Sequence, residues 1–249
     1  MIQSSRATRS ERDPLQVYCL DDGSDAICEL ARCWKLPVTT ESAGRVVLTY
    51  QDRRLVLMDR RSRFVRPLWV ELGVNAKNLP GKKDLLLRAL GRKCRAVVDA
   101  TAGWGVDTAG LLHHGYKVWL LERHPVMLAL LEDGMGRLGP VQQRAVRLFR
   151  GNAIALLPEL EARCGQVDVV YLDTMYPITG RSSALPRREL VLLRELVGDD
   201  QDAVQLLYVA RGVARQRVVV KRPHYAPSLG DVNPDISYRS KLLRYDVYL

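Results

Sequence analysis

The chain has 249 residues, 47% of them hydrophobic, and a formal net charge of +10 with a pI near 9.6. This length suits one large domain with a small appendage, and the apolar content is sufficient for a core. No apolar run approaches the roughly 18 residues of a membrane span, and the polar first residues lack the apolar centre of a signal peptide. The five cysteines form no CxxC pair, which argues against disulfides and zinc. We expect a cytoplasmic protein without a membrane partner or a metal.

The first 80 residues predict a small α+β domain behind a disordered tail at 1–15. Its predicted elements are a strand, a helix that Ser24 caps and Pro37 ends, and a hairpin. The strand is predicted at 16–20, and the helix runs through Ile27 to Trp34. The two hairpin strands are predicted at 45–50 and 55–59, with a candidate third strand at 68–72. The segment 78–83, Asn-Leu-Pro-Gly-Lys-Lys, is typical of a joint. The predicted domains are therefore 16–80 and 81–249.

After residue 84 the pattern alternates between helix and strand. Strands are predicted at 97–100, 118–122, 146–149, 169–172 and 218–221, and helices at 84–90, 106–113, 125–134, 153–160 and 186–197. Such alternation is typical of a doubly wound, mostly parallel α/β sheet. The last run, 244–249, has no helix after it, so we expect an antiparallel strand at the end of the sheet.

The most informative stretch joins a buried strand to a glycine turn. Asp99 precedes Gly103 and Gly105, and Glu122 closes the next apolar run. The carboxyl ends of neighbouring parallel strands meet at the edge where open α/β sheets bind ligands. The spacing therefore predicts a site for a nucleoside-bearing cofactor. A purely structural turn is the alternative, because a lone glycine motif is weak evidence.

The details of the turn favour S-adenosylmethionine over NAD. A dinucleotide motif needs a third small residue where Thr108 stands, and Asp99 would repel a pyrophosphate. In this interpretation the backbone at Gly103 and Gly105 approaches the methionine part of the cofactor. Glu122 is then expected to accept hydrogen bonds from both ribose hydroxyls.

The strand at 169–172 is followed by Asp173-Thr-Met-Tyr-Pro. An acid, a ring and a proline at this edge are similar to the (Asn/Asp)-Pro-Pro-(Tyr/Phe) loop of methyltransferases that act on exocyclic amines of bases. Such an amine is a poor nucleophile because its lone pair is delocalised, so Asp173, helped by the Thr174 carbonyl, is predicted to hold its hydrogens. Tyr176 is predicted to stack on the base, contributing about 1–3 kcal/mol. Simple packing of a strand-end loop is the alternative.

The positive charge is clustered and suggests a polyanionic partner. Three groups of arginines stand out: Arg53, Arg54, Arg60, Arg61, Arg63 and Arg66; Arg181, Arg187 and Arg188; and Arg211, Arg215, Arg217 and Arg222. Phosphate contacts by such groups make binding salt dependent. We predict RNA contacts by Arg181, Lys221 and Arg222, although a strand end that merely exposes basic residues accounts equally well for the last two.

Four ordered motifs carry a family resemblance. They are Asp99-Ala-Thr-Ala-Gly-Trp-Gly-Val-Asp, Leu121-Glu-Arg-His-Pro, Tyr171-Leu-Asp-Thr-Met-Tyr-Pro and Val219-Val-Lys-Arg-Pro-His-Tyr-Ala-Pro. Together they resemble the ribosomal RNA small subunit methyltransferase J family, whose members use S-adenosylmethionine to methylate N2 of one guanine near the 3′ end of 16S rRNA. The resemblance implies a Rossmann-like class I methyltransferase fold and 16S rRNA or the small ribosomal subunit as partner. It also implies cofactor contacts by Val106, Asp107, Glu122, Arg123, Asn152, Ala153 and Asp173.

The chain departs from the family pattern at several positions. The family usually has Arg at Val106, Ser-Ser at Asn152 and Ala153, Pro at Thr174 and Asp at His224. These differences concern cofactor geometry and rate more than reaction class. Three alternatives stay open, namely methyl transfer to adenine N6, an NAD-dependent oxidoreductase, and an inactive RNA-binding relative.

Overall fold

The computed structural model describes residues 16–20, 25–39, 46–60, 66–73, 84–175 and 188–249. Several predicted features lie outside these ranges: the tail 1–15, the helix cap Ser24, the joint 78–83, Tyr176 and Arg181. The domain boundary predicted at residue 80 also falls outside them and stays a prediction.

A four-stranded sheet forms the N-terminal region. Its elements are β1 (Val17–Leu20), α1 (Asp25–Trp34), β2 (Val38–Thr39), β3 (Val46–Gln51) and β4 (Arg54–Asp59). The strand order is β2-β1-β3-β4, with β1 parallel to both neighbours and β3 and β4 forming the predicted antiparallel hairpin. The candidate strand at 68–72 is wrong, since only Leu68 pairs, in one bridge to Leu57. Beyond it the chain leaves the hairpin and buries Val70 and Leu72 in the main core.

The main region alternates helices with strands. In chain order it contains α2 (Leu85–Leu90), β5 (Ala96–Asp99), α3 (Val106–His113), β6 (Lys117–Glu122), α4 (Pro125–Gly136), α5 (Pro140–Ala145), β7 (Val146–Arg150), α6 (Ala153–Cys164), β8 (Val169–Leu172), α7 (Arg188–Val197), α8 (Ala203–Val213), β9 (Arg217–Pro223), β10 (Ile236–Arg239) and β11 (Leu243–Tyr248). The sheet order is β10-β11-β9-β8-β5-β6-β7, and β5 to β9 are parallel. The predicted Rossmann-like, doubly wound α/β fold is confirmed.

The last strand is antiparallel as predicted, but its predicted position at the end of the sheet is wrong. β11 lies between β9 and β10 and pairs antiparallel with both. Its Asp246, Val247 and Tyr248 are almost fully buried, as expected for a strand inside a sheet. The sequence analysis did not identify β10, a short and half-exposed strand, nor the helices α5 and α8.

Apolar residues cover both faces of the main sheet. On one face α2, α3, α4 and α7 pack in a core that also takes in β3 and β4, so the N-terminal sheet and the main sheet share buried contacts. On the other face α6 and α8 pack against alternate residues of the same strands. Burial on both faces explains why the central strands read as continuous apolar runs. No helix among the described residues is long and apolar enough to cross a membrane.

Candidate active site

A cleft opens at the carboxyl edge of the sheet, above β5, β6 and β8. It contains about 610 Å³ of space, its open mouth included, which is within the range of small-molecule sites. Among its lining residues are six of the predicted site residues: Gly103, Glu122, Arg123, Asn152, Ala153 and Asp173. Apolar walls are formed by Leu121, Ile154, Met175, Leu193, Val197 and Leu206. The combination of apolar walls and a few polar groups suits a nucleoside.

Glu122 ends β6 and turns its carboxylate towards the glycine turn. Its Oε2 accepts a hydrogen bond from the Gly103 amide at 3.1 Å, and its Oε1 accepts from the Arg123 and His124 amides, both at 2.8 Å. Burial raises the pKa of Glu122, while these amide hydrogen bonds oppose the rise. Oε2 keeps room for one further donor, so Glu122 is available to a ribose hydroxyl through that oxygen.

The glycine turn requires its two glycines. Gly103 and Gly105 both have positive φ, at 48° and 67°, and Gly105 is the N-cap residue of α3. A Cβ on Gly105 would lie 2.5 Å from Leu72 Cδ2, so the chain of the 66–73 segment packs directly under the turn. Gly103 lines the cleft, whereas Gly105 faces this packing contact.

Asp99 lies beneath the turn and is 2% exposed. Its Oδ1 accepts from the Thr101 amide at 3.3 Å and its Oδ2 from the Thr108 hydroxyl at 2.7 Å. Burial raises the pKa of Asp99 to about 7, against the lowering effect of the Thr108 hydrogen bond. Asp99 does not line the cleft, and its contacts hold the turn in place from below. Thr108, which stands where a dinucleotide motif would have its third glycine, is therefore the side chain that donates a hydrogen bond to Asp99.

The far wall of the cleft contains a cluster that the sequence analysis missed. Arg123 forms ion pairs with Asp200 at 2.9 Å and with Asp202 at 2.7 Å, and Asp200 also accepts from the Met175 amide at 2.7 Å. Both aspartates line the cleft, in the connection between α7 and α8. A usable signal was the acidic run Asp199-Asp200-Gln-Asp202 between two apolar segments.

Asn152 caps α6, since its Oδ1 accepts from the Ile154 amide at 2.9 Å. Ala153 follows it as the first residue of that helix, and both line the cleft. Two other residues named by the family resemblance lie elsewhere. Val106 is 73% exposed at the start of α3, and Asp107 contacts the ion-pair cluster described next.

Asp173 lies where β8 ends, at the rim of the cleft. Its amide donates to Thr101 Oγ1 at 2.7 Å, and its Oδ2 accepts from Lys221 Nζ at 3.0 Å. Lys221 Nζ also donates to Asp107 Oδ2 at 2.7 Å, and the same oxygen accepts from the Tyr171 hydroxyl at 2.6 Å. We call Tyr171, Asp107, Lys221 and Asp173 the lysine cluster.

Protein atoms crowd Asp173, yet 42% of its side-chain surface is open. Burial raises the pKa of its carboxyl group and the neighbouring Lys221 ammonium opposes this. For Lys221, burial favours the neutral form, but the carboxylates of Asp173 and Asp107 outweigh it and raise the pKa. The Lys221 ammonium is therefore the group that opposes protonation of Asp173.

The structure does not favour the RNA contacts predicted for Lys221 and Arg222. Lys221 points its ammonium at two carboxylates, and only 23% of its side chain is exposed. Arg222 is 3% exposed and donates from Nε and a terminal nitrogen to the Pro227 carbonyl, at 3.3 and 2.9 Å. Strands β9 and β11 bury these residues because the sheet continues past β9. Tyr176 and Arg181, outside the described residues, stay predictions.

The site fits S-adenosylmethionine. Gly103 and Glu122 line one part of the cleft, Asn152 and the apolar walls another, and Asp173 lies at the rim. These groups suit a ribose, a purine ring and an acceptor amine, respectively. Among the described residues no group of three or more His, Cys, Asp or Glu side chains is placed to hold a metal ion.

Comparisons with known proteins agree with this geometry. A family model described as "Putative SAM-dependent methyltransferase" matches residues 29–249. The ribosomal RNA small subunit methyltransferase J of Haemophilus ducreyi is 43% identical, over 87% of this chain and 90% of that protein. The protein of the same name from Nitrosococcus oceani is also 43% identical, over 90% of this chain and 94% of its own.

A solved structure gives the same result. The crystal structure of an S-adenosylmethionine-dependent methyltransferase from Neisseria gonorrhoeae has a TM-score of 0.73 at 30% identity, covering 94% of this chain and 96% of that one. The predicted cofactor, S-adenosylmethionine rather than NAD, is thereby confirmed. The chain belongs to the ribosomal RNA small subunit methyltransferase J family of S-adenosylmethionine-dependent enzymes.

Proposed function

We propose that the protein transfers a methyl group from S-adenosylmethionine to the exocyclic N2 amine of a guanine in 16S rRNA of the small ribosomal subunit. The relatives named for ribosomal RNA methylation support the RNA substrate. The observation that carries the amine acceptor is the Asp173 carboxylate. It lies at the rim of the cofactor cleft with Oδ2 held by Lys221 and, among the described residues, no protein donor on Oδ1.

The cofactor would be held by residues that line the cleft. The Gly103 backbone and Glu122 suit its ribose and methionine part, and Asn152 with Ile154 and Leu206 suits its adenine. When bound, S-adenosylmethionine supplies an electrophilic methyl group on a sulfonium. The protein's task is then to bring one amine nitrogen into line with that methyl group and to exclude water.

Asp173 is expected to accept a hydrogen bond from the acceptor amine through Oδ1. This contact orients the nitrogen lone pair and stabilises the positive charge that develops on the nitrogen. The nitrogen–carbon bond forms as the sulfur–methyl bond breaks. The amine then loses one proton, which passes to the Asp173 carboxylate and from there to water.

The surface charge suits a large RNA. Arg53, Arg60, Arg66, Arg211 and Arg215 from the predicted arginine groups are exposed. Arg54 lies over the Trp69 ring at 5.2 Å, and Trp69 is 39% exposed. Arginine and an aromatic ring together are common in RNA contacts. A ribosomal substrate places the enzyme in the cytoplasm.

The test is transfer of labelled methyl to small ribosomal subunits that lack native methylation, followed by digestion of the RNA to nucleosides. We expect label in N2-methylguanosine with the wild type and its loss with Asp173→Ala. Label in N6-methyladenosine would overturn the choice of base. Cofactor binding without any transfer would indicate an inactive RNA-binding relative.

A further inference from the structure

We propose that Lys221 is a positioning residue, which fixes the Asp173 carboxylate and keeps it able to accept a hydrogen bond from the acceptor amine. The inference rests on the proposed function, since it assigns Asp173 to the amine. It replaces the RNA contact that the sequence analysis predicted for Lys221.

The ammonium group of Lys221 is anchored from its buried side. Asp107, on α3, accepts from Nζ at 2.7 Å through an oxygen that also accepts from the Tyr171 hydroxyl at 2.6 Å. These three side chains come from α3, β8 and β9, so three separate elements define where Nζ lies. The side-chain exposure increases from 21% at Asp107 and 23% at Lys221 to 42% at Asp173. The cluster therefore leads from the interior to the rim, with Asp173 at its open end.

Asp173 is fixed at two points by this arrangement. Its amide is bound to Thr101 Oγ1 at 2.7 Å, and its Oδ2 is bound to Lys221 Nζ at 3.0 Å. A carboxylate held at the backbone and at one oxygen has little rotational freedom left. Its other oxygen then has a defined direction for the acceptor amine, which is what a positioned hydrogen bond requires.

The charges around Asp173 explain why a cation is needed. Among the described residues, the titratable groups that face it are Lys221 from β9, Asp107 from α3, Asp200 from the connection between α7 and α8, Asp99 from β5, Tyr171 from β8 and Tyr245 from β11. Lys221 is the one cation among them. Without it, burial and the neighbouring carboxylates would all favour the protonated form of Asp173. A protonated Asp173 is a weaker acceptor, has lost the negative charge that stabilises the amine, and has no room for the proton that the amine releases.

A phosphate contact by Lys221 is disfavoured by the same geometry. A phosphate approaching Nζ would meet Asp107 and Asp173 within about 3 Å of the ammonium and would be repelled by both.

The test compares Lys221→Met and Lys221→Arg with the control Lys117→Met. Lys117 is an exposed lysine at the first residue of β6, whereas the cleft lies at the other end of that strand. For Lys221→Met we expect kcat to fall about 10- to 100-fold, with KM for the ribosomal subunit changed less than about threefold. Removing the cation raises the pKa of Asp173, so the acidic limb of the kcat profile should move to higher pH. Lys221→Arg should keep the limb near its wild-type position, and Lys117→Met should resemble the wild type.

A different pattern would overturn the inference. A raised KM with unchanged kcat, together with a shallower salt dependence of RNA binding, would return Lys221 to the role of a phosphate contact. A loss of kcat with no movement of the acidic limb would leave only a structural role.

A second measurement does not depend on the RNA substrate. Carboxyl-¹³C NMR of aspartate-labelled protein, with Asp173→Asn to identify the signal, reports the pKa of Asp173 directly. We expect a rise of at least about one unit in Lys221→Met, because the cation is lost. Asp107→Asn should lower the same pKa, because a neighbouring negative charge is removed, and it provides a readout if Lys221→Met fails to fold. An unchanged pKa in both variants overturns the inference, whereas absent methyl transfer by the wild type would overturn the proposed function alone.

Discussion

Glu122 ends β6 and Asp173 directly follows β8, the two strands that flank β5, and the protein fixes these carboxylates by different means. Glu122 is 8% exposed, and its carboxylate accepts hydrogen bonds from three backbone amides. One is the amide of Gly103 in the turn, and the other two belong to Arg123 and His124, which follow Glu122 in the chain. Asp173 is far more open and has an ion pair to Lys221, 48 residues further along the chain. One carboxylate belongs to a local loop, and the other belongs to a network of charges.

This difference has a consequence for function. A carboxylate held by backbone amides has a geometry that follows directly from the loop, which suits binding of an unchanging cofactor. A carboxylate held by an ion pair has an acidity that its partner sets, which suits a group that receives a proton. The two sides of the cleft should therefore respond differently to equivalent substitutions.

The largest expected effect comes from removing the two charges separately. Asp173→Asn should lower kcat about 100-fold or more, because the amide cannot take up the charge that develops on the amine. Glu122→Gln should weaken S-adenosylmethionine binding about tenfold, close to 1.4 kcal/mol, because one amide donor and the ribose lose their acceptor. Single-turnover methyl transfer and calorimetric titration of the cofactor measure the two quantities.

Matched controls exist for both substitutions. Asp231→Asn and Glu159→Gln change exposed carboxylates and should leave both quantities near the wild-type values. If Asp173→Asn and Glu122→Gln instead weakened cofactor binding equally, with no separate loss of kcat, the distinction between the two sides would be wrong.

The next effect tests how rigidly the glycine turn is packed. Gly105→Ala combines positive φ with a Cβ that would lie 2.5 Å from Leu72 Cδ2, a side chain 1% exposed. Gly115→Ala has similar strain, with φ at 80°, but nothing within 4 Å of its Cβ. We expect Gly105→Ala to lower the free energy of unfolding by about 2–3 kcal/mol and Gly115→Ala by about 1 kcal/mol. Urea unfolding of the two variants measures the difference, and equal losses would mean that Leu72 moves aside at little cost.

The sequence predicted the two sides of the cleft unequally. Gly103 and Glu122 line the cleft, and a short motif with its strand ends contains most of the information needed to place them. Asp99 belongs to the same motif but lies beneath the turn. The RNA contact predicted for Lys221 was not supported, because its ammonium group contacts Asp107. That contact joins residues 114 positions apart and depends on the order of the strands, so the sequence did not indicate it. Periodicity within one segment carries no such information.

Other misses have the same physical origin. Asp200 and Asp202 join the cleft through the start of α8, a helix that was not predicted, so their contact with Arg123 was not foreseeable. Arg222 was taken for a surface cation because the position of β11 beside β9 was unknown. Site residues within one short motif could thus be predicted from the sequence, whereas contacts between elements far apart in the chain required the structure.

An effect of similar size concerns Asp99, the acid beneath the turn. Asp99 has its pKa raised to about 7, above its unfolded value of about 4, so the native state binds its proton more tightly than the unfolded state does. The stability contributed by protonated Asp99 is present below pH 4 and is lost as the pH rises through 7. Asp99→Asn removes this titration. Between pH 5 and pH 8 the free energy of unfolding of the wild type should therefore fall by about 2–3 kcal/mol relative to that of Asp99→Asn. Urea unfolding at the two pH values checks this, and a constant difference would mean that Asp99 is ionised throughout.

The last comparison concerns two buried threonines, Thr108 beneath the glycine turn and Thr174 after β8. Thr108 is fully buried and donates its hydroxyl to Asp99 at 2.7 Å, whereas Thr174 is 6% exposed and its hydroxyl has no hydrogen-bond partner among the described residues. Thr108→Val should cost about 1–3 kcal/mol, because a buried carboxylate loses its donor. Thr174→Val should instead raise the free energy of unfolding by about 1 kcal/mol, because it removes an unpaired buried hydroxyl. Thermal and urea unfolding of the two variants measure both changes in the free energy of unfolding.

Methyl transfer by Thr174→Val should stay within about twofold of the wild type, since Asp173 keeps its contacts with Thr101 and Lys221. A destabilised Thr174→Val would mean that this hydroxyl has a hydrogen-bond partner, and the departure from the family's proline would then be a functional one.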